Sequence, residues 1–226
     1  MRYITILLIF FTLIGCGSSS ETPKISYKST FIMFNARKVS NNMQINISVN
    51  NNSEFNQSIS YSEMHSKDIW WYEDDNITLK YTQDKDLYSS LKISKNREGK
   101  YLVCSVGNAK NSTLPLTLPP IDKEEIHMSQ AYIKVINTIN DDIEKRVYIN
   151  YESDHSDFTQ FNNVSDKFYI NASTNSLVYI QYRGNSVPFE FHNSINFDAN
   201  SAYFIIIYED INDENRPQIA IVDMTP

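Results

Sequence analysis

The chain has 226 residues, of which 27 are acidic and 20 are basic, so its formal net charge is −7. An acidic chain without a cluster of Lys and Arg is a poor candidate for binding nucleic acid or an anionic lipid surface, and we expect no nucleic-acid partner. The length allows one large domain or two domains of about 100 residues.

The first segment has the features of a secretion signal. A short basic start, Met1-Arg2-Tyr3, precedes an apolar run from Ile4 to Ile14. A permanent membrane helix needs about 20 apolar residues, so this run is too short to cross a bilayer and suits the hydrophobic region of a signal peptide. We predict that residues 1–15 are a cleaved signal peptide.

The run ends in Leu13-Ile14-Gly15-Cys16, which resembles the lipobox of bacterial lipoproteins. The resemblance implies that the thiol of Cys16 takes a diacylglycerol through a thioether and that Cys16 becomes the first residue of the mature protein. The alternative is an ordinary cleaved signal followed by a chance Cys. We expect lipidation, because charge, apolar length, small residue and Cys occur in the required order.

Residues 17–24 lack apolar side chains that could pack, so we predict that residues 16–24 form a flexible tether between the lipid and the folded part. The membrane is then the first expected partner, through lipidated Cys16, and the cell envelope is the expected location. In bacteria with two membranes, Asp directly after the lipidated Cys resembles an inner-membrane retention signal. This chain has Gly17, which favours the outer membrane.

Alternating apolar and polar residues predict β-strands along most of the remaining chain. Ile45, Ile47 and Val49 alternate with polar neighbours, and similar patterns occur near Ile77 and Val178. Two runs are apolar throughout, Tyr101–Val106 and Tyr203–Tyr208, and we predict central strands there. Helical periodicity is nearly absent, so the predicted fold class is all-β.

The chain also contains an internal repeat. Four segments recur in the same order at offsets of 100–102 residues: FIMFNA (31–36) as IKVINT (133–138), INISVN (45–50) as RVYINY (146–151) with a shift, ITLKY (77–81) as VYIQY (178–182), and KISKNREGKYLVCSV (92–106) as SINFDANSAYFIIIY (194–208). The alignment places Cys104 opposite Ile206, so we expect Cys104 to be buried.

The repeat predicts two tandem domains, residues 25–120 and 130–226, joined by a linker at 121–129. Pro119-Pro120 stands just before the linker, where it would stiffen the connection. Each half holds about six or seven predicted strands, which suits a small immunoglobulin-like β-sandwich. The Cys–Trp–Cys framework of antibody domains is missing, so the comparison is one of architecture only.

The repeated unit resembles a known family. Strands such as IKVINT and RVYINY, a late Tyr followed by an apolar run, and a closing strand QIAIVDM that contains Asp223 look like the bacterial repeats called domain of unknown function 4397. The resemblance implies tandem repeats in an exported or lipid-anchored protein, and it implies no activity. The family's usual Gly before the late Tyr is present as Gly99, whereas the second repeat has Ser201.

Motifs for chemistry are weak throughout. The four His residues are scattered, and Asp210–Glu214 is better explained as a solvated acidic hairpin tip than as a calcium loop. Asp154-His155-Ser156-Asp157 contains the residue types of a catalytic triad, but neighbours in one loop rarely reach triad geometry. We therefore expect no metal site, no cofactor and no catalytic residue.

Both tryptophans lie in the cluster Trp70-Trp71-Tyr72. Successive strand residues point to opposite faces, so one Trp is expected in the core and the other on the surface or at a domain junction. We predict a non-enzymatic envelope lipoprotein with a structural, adhesion or assembly role. The alternative is a module that binds an envelope protein, peptide or carbohydrate through Trp70, Trp71 and Tyr72.

Overall fold

The structure is a computed structural model that describes residues 24–38, 42–83, 86–93, 98–106, 115–150, 155–186, 188–210, 212–213 and 216–226. The predicted signal peptide, Cys16 and most of the tether lie outside the described residues. Nearly all regular structure in the described part is strand, which confirms the all-β fold class.

The first half, residues 24–120, forms two four-stranded sheets. One sheet has the strand order β4-β1-β7-β8 and the other β3-β2-β5-β6. The strands are β1 (Ser26–Asn35), β2 (Met43–Val49), β3 (Asn52–Ile59), β4 (Met64–Tyr72), β5 (Ile77–Gln83), β6 (Asp86–Ile93), β7 (Gly99–Ser105) and β8 (Leu116–Leu118).

The second half, residues 130–226, also forms two sheets. One has the order β10-β13-β14, and the other has the order β11-β9-β15-β16 with β12 also paired to β9. The strands are β9 (Gln130–Asn137), β10 (Lys145–Ile149), β11 (Asn163–Val164), β12 (Phe168–Asn171), β13 (Ser173–Tyr182), β14 (Phe189–Phe197), β15 (Ser201–Glu209) and β16 (Pro217–Asp223).

Equivalent strands of the two halves pair in the same register. Phe31 of β1 lies opposite Tyr101 of β7 in a parallel pair, and Ile133 of β9 lies opposite Tyr203 of β15 in the same way. A buried Asn ends both first strands: Asn35 donates to the carbonyl of Ile59 at 2.9 Å, and Asn137 donates to that of Thr159 at 3.0 Å. The sequence repeat is therefore also a repeat of strand pairing.

Within each half, the two sheets bury one apolar layer between them. In the first half, this layer contains Phe31, Ile45, Leu79 and Trp71, and in the second half its members include Ile133, Val147, Ile180 and Phe197. The alternation in β2 arises here, because Ile45, Ile47 and Val49 all point into the layer while Gln44 between Met43 and Ile45 is exposed.

A third apolar layer joins the two halves. We call it the inter-half cluster; it contains Ile32, Phe34, Leu102 and Cys104 of the first half and Tyr132, Ile136, Phe204 and Ile206 of the second, with smaller neighbours. In the last part of β1, Phe31 and Met33 face the partner sheet of their own half, whereas Ile32 and Phe34 face the other half. Strands β1, β7, β9 and β15 therefore have apolar layers on both faces.

This arrangement explains the two runs that are apolar throughout. Strands β7 and β15 are central in their sheets and buried on both faces, so neither face needs polar side chains. The prediction of central strands at Tyr101–Val106 and Tyr203–Tyr208 is confirmed, and so is the burial of Cys104, which has no exposed surface.

Polar contacts reinforce the inter-half cluster at both ends. At one end, Tyr61 donates to the carbonyl of Glu209 at 2.5 Å and Lys38 donates to that of Asp210 at 3.3 Å. At the other end, the ammonium of Lys100 lies 3.3 Å from a carboxylate oxygen of Asp223. These contacts connect residues of the two halves that are more than 120 positions apart.

The predicted linker is partly packed. Residues 121–129 contain a 3₁₀ turn at Lys123–Glu125, and Ile121 is buried in the inter-half cluster. Tyr169 of the second half donates to the carbonyl of Glu125 at 2.9 Å. The domain boundaries and the immunoglobulin-like comparison stay predictions. The first two strands share a sheet in immunoglobulin constant domains, whereas β1 and β2 lie in opposite sheets.

Candidate functional site

The aromatic cluster lies on β4, an edge strand that pairs antiparallel with β1. Alternation places Trp71 on the inner face, where it is 3% exposed, and Trp70 on the outer face, where it is 64% exposed. Tyr72 shares the outer face with Trp70 and is 46% exposed. The prediction that the two tryptophans point to opposite faces is confirmed.

Trp71 is a core residue. Its ring stacks on Tyr27 with ring centroids 4.8 Å apart, and its Nε1 donates to the hydroxyl of buried Ser29 at 3.0 Å. A side chain this deeply packed cannot stack on a ligand without opening the sandwich. Of the three residues predicted as possible ligand contacts, Trp70 and Tyr72 are exposed to solvent and Trp71 is not.

Charged and polar neighbours surround Trp70. The ammonium of Lys28, which lies opposite Trp70 on β1, is 6.0 Å from the ring centroid and 2.7 Å from a carboxylate oxygen of Asp68. Thr30 donates to the same carboxylate at 2.7 Å, and these bonds hold the pKa of Asp68 below its usual range. The polar groups nearest to the ring therefore bond to one another.

The motifs considered for catalysis serve the fold. The hydroxyl of Ser156 is buried and accepts a hydrogen bond from the backbone N–H of Val147 at 2.9 Å, which fixes the chain beside β10. Asp157 is exposed, and Asp154 lies outside the described residues. No nucleophile–base pair forms from the described members of this motif.

The acidic hairpin between β15 and β16 is held by its own polar groups. Asp210 accepts a hydrogen bond from the backbone N–H of Asn212 at 2.8 Å and another from the side chain of Gln218 at 2.7 Å. These bonds hold the pKa of the Asp210 carboxyl below its usual range. Within the described ranges, no three His, Cys, Asp or Glu residues are grouped so that they could hold a metal ion.

The burial of Cys104 makes its thiol unreactive in the folded protein. It lies in the inter-half cluster with no exposed surface, and burial raises the pKa of the Cys104 thiol far above its ordinary value. A thiolate is the reactive form of Cys, so this residue is a small apolar side chain in the folded protein.

Sequence reasoning missed a buried charge. Lys145 occupies the position equivalent to Ile45 and is completely buried, with its ammonium 2.5 Å from Asp141 and 4.6 Å from the ring centroid of Tyr182. Burial lowers the pKa of Lys145, and the Asp141 carboxylate opposes that shift. The equivalence comes from strand pairing, since Lys145 lies opposite Tyr182 as Ile45 lies opposite Tyr81. Nothing in the sequence identified the partner carboxylate.

Sequence reasoning also missed a groove where the halves meet. It has a volume of about 480 Å³, and its lining includes Pro120, Glu125, Tyr132, Lys134 and Asp166. Burial, reinforced by Glu125, raises the pKa of the Tyr132 phenol well above its ordinary value, so the phenol stays protonated. The residues that line the groove include no nucleophile beside a base, and their chemistry does not indicate a particular ligand.

In the part of the chain that the structure describes, no helix is long and apolar enough to cross a membrane. No protein-family model and no curated protein matches the chain. One solved structure, a leucine-rich repeat protein from Bacteroides thetaiotaomicron, is 9% identical and aligns with 79% of this chain at a TM-score of 0.20. The alignment spans 25% of that protein's length, and a TM-score this low carries no argument about fold or function.

Proposed function

We propose that the chain is a lipid-anchored lipoprotein of the bacterial cell envelope, and that its folded part has a non-enzymatic structural, adhesion or assembly role. The observation that carries the anchor is the order Leu13-Ile14-Gly15-Cys16 after a basic start and an apolar run. The first strand begins at Ser26, ten positions after Cys16, so the proposed anchor lies close to the folded part.

The packing of the halves supports the proposed structural role. Four sheets stack through three apolar layers, and polar contacts at both ends of the inter-half cluster restrict bending. Packed sheets lie about 10 Å apart, so the outer sheets are separated by about 30 Å. A stiff body of this size suits a protein that holds a surface at a set distance from a membrane.

Lipidation of Cys16 is tested by expressing the full precursor in a bacterium with a labelled fatty acid. Wild type should incorporate the label and enter the detergent phase on phase partition, whereas Cys16→Ala should do neither. Cys104→Ala is the matched control, because it removes the other Cys of the chain and should leave labelling unchanged. Equal labelling or equal partition of wild type and Cys16→Ala would refute the anchor.

The proposed location is tested at the next residue. In a host with two membranes, wild type should fractionate with the outer membrane, since residue 17 is Gly. Gly17→Asp should move the protein to the inner membrane, while Gly17→Ser should leave it in place. If all three proteins fractionate together, residue 17 does not determine the location.

The alternative function is binding of a carbohydrate or peptide through Trp70 and Tyr72. Its support is the exposed ring of Trp70, because aromatic rings stack on sugars and partner proteins. Against it, the polar groups of Lys28, Asp68 and Thr30 bond to one another, so a ligand would have to compete with these bonds. A saturable change of Trp fluorescence on adding envelope glycans, absent in Trp70→Phe, would favour this alternative.

A further inference from the structure

Three large apolar side chains are exposed near one end of the first half, and two of them share a face. Among the described residues, six large hydrophobic side chains are exposed, and three of them are Ile25, Trp70 and Tyr72. Ser26 of β1 lies opposite Tyr72 of β4, and Lys28 lies opposite Trp70, so all three occupy the end of the sheet where β1 begins. We call Trp70 and Tyr72, which share the outer face of β4, the Trp70 patch; Ile25 lies at the same end of the sheet, just before β1.

The Trp70 patch lies where the chain from the proposed anchor joins the folded part. Cys16 is eight residues before Lys24, the first described residue. A chain spans at most about 3.5 Å per residue, so eight residues reach at most about 28 Å whatever their conformation. The bilayer that contains the Cys16 lipid is therefore within reach of Ile25 and Tyr72. Ile25 is the exposed apolar residue nearest to Lys24 in sequence, and Tyr72 lies opposite Ser26 in the sheet.

The residue types fit the headgroup region of a bilayer. Trp and Tyr are enriched at membrane–water interfaces, where an apolar ring with one polar edge contacts both phases. Lys28 beside Trp70 is paired with Asp68 at 2.7 Å, so the ammonium nearest to the ring is balanced by a carboxylate.

The charge of the turn after Tyr72 indicates which lipid headgroups the patch can contact. Glu73, Asp74 and Asp75 follow Tyr72, and Asp75 is held by hydrogen bonds from the N–H of Tyr72 at 2.7 Å and from Asn50 at 2.6 Å. These carboxylates would repel an anionic surface. The charge pattern therefore favours zwitterionic headgroups over anionic ones.

We propose that the Trp70 patch rests in the zwitterionic headgroup region of the bilayer that holds the Cys16 lipid, and so sets the orientation of the first half on the membrane. This inference rests on the proposed lipid anchor and adds a second, non-covalent contact to it. The diacylglycerol on Cys16 would hold the protein to the bilayer, and the Trp70 patch would add a contact that fixes its orientation. The outer face of β4 beyond Trp70 continues toward Met64 and the inter-half cluster, so contact with lipid is confined to one end of the strand.

The test uses the full lipidated protein in phosphatidylcholine vesicles whose acyl chains are brominated. Both tryptophans of the chain are in the first half, and Trp71 is shielded in the core. The difference between wild type and Trp70→Phe therefore gives the emission of Trp70. We expect brominated lipid to remove most of this emission and to leave the emission of Trp71 unchanged.

A matched control moves the probe along the same strand. Met64 is exposed on the same face of β4 as Trp70, six residues away, which corresponds to about 20 Å along a strand. The double variant Met64→Trp/Trp70→Phe should float with the vesicles as wild type does, while its new tryptophan should not be quenched by brominated lipid. Equal quenching at both positions would overturn the proposed end-on contact.

The outcomes separate this inference from the anchor. If the protein does not float with vesicles, the lipid anchor fails. If it floats but Trp70 is not quenched, the anchor stands and the membrane contact of the Trp70 patch is refuted. Quenching that requires anionic lipid would refute the preference for zwitterionic headgroups. Protection of Trp70 from aqueous iodide by a soluble glycan, without quenching by brominated lipid, would assign the patch to glycan binding instead.

Discussion

Two phenylalanines on the same strand test the layered packing. Phe31 and Phe34 are both on β1 and are 0% and 1% exposed, but Phe31 packs inside the first half and Phe34 packs in the inter-half cluster. Phe31 stacks on Tyr101 at 5.3 Å between ring centroids, and Phe34 meets Tyr208 edge-on at 5.2 Å. Replacing each with Ala removes the same ring from two different layers.

Both substitutions should lower the free energy of unfolding by a similar amount. A buried aromatic ring removes roughly 150–250 Å² from water, which at roughly 25 cal/mol per Å² corresponds to roughly 4–6 kcal/mol as an upper figure. Truncation of buried Phe to Ala costs about 3–5 kcal/mol, and we expect both variants in that range. The two variants should differ in how the halves unfold relative to each other.

The assay is urea unfolding followed by two signals. Trp fluorescence reports on the first half, which contains both tryptophans, and far-UV circular dichroism reports on both halves. In wild type and in Phe31→Ala the two curves should coincide, because the inter-half cluster couples the halves. In Phe34→Ala the curves should separate. A cost below about 1 kcal/mol for Phe34→Ala, with the full cost for Phe31→Ala, would refute the packing of the halves.

Three further predictions follow from the burial or exposure of particular side chains. Trp71→Ala should lower the free energy of unfolding by about 3–5 kcal/mol and Trp70→Ala by less than about 1 kcal/mol, measured by urea unfolding; equal costs would contradict their placement. The thiol of Cys104 should react with a chromogenic disulfide reagent only after denaturant is added, and rapid reaction of the native protein would contradict its burial. The free energy of unfolding should fall above a pH of about 10. Tyr ionises there in the unfolded chain, while burial raises the pKa of several Tyr in the folded protein and keeps them protonated. Lys145 has a lowered pKa in the folded protein, and this single group changes stability in the opposite direction. A urea midpoint that is unchanged or higher at pH of about 11 than at about 9 would contradict the last prediction, which rests on Tyr61, Tyr132 and Tyr182.

The sequence predicted the strands and their burial well, since alternation reports directly on which face is covered. Ile45, Ile47 and Val49 are buried as the period of two requires, and Cys104 is buried as its alignment with Ile206 requires. Aligned segments also pair in equivalent registers, because each repeat has to satisfy the same backbone hydrogen bonds.

The contact between the halves was not predicted. Its signal is present in the sequence, because Ile32 and Phe34 are apolar at the positions of β1 that would otherwise face solvent. A strand that is apolar on both faces requires a second covering layer, but the sequence does not say which part of the chain supplies it. The polar contacts of Tyr61, Lys38 and Lys100 connect distant residues and have no local pattern.

The candidate site was predicted in part. Alternation correctly required that only one of Trp70 and Trp71 be buried, but which face is inner depends on the register of β4 against β1. The pairing of Lys28 with Asp68 follows from the same register and is invisible along the chain, since the two residues are 40 positions apart.

The parallel pairing of the first strand with a late strand has a consequence for how the chain reaches its native state. Ser29 pairs with Gly99, 70 residues later, and Ala131 pairs with Ser201 at the same separation. Contacts between distant residues form slowly, and a chain emerges from synthesis with its N-terminal part first. The apolar face of β1 and β7 that packs against the second half therefore stays exposed until β9 and β15 have both been synthesised. The nascent protein is therefore most prone to aggregation after the first half has been synthesised and before the second half is complete.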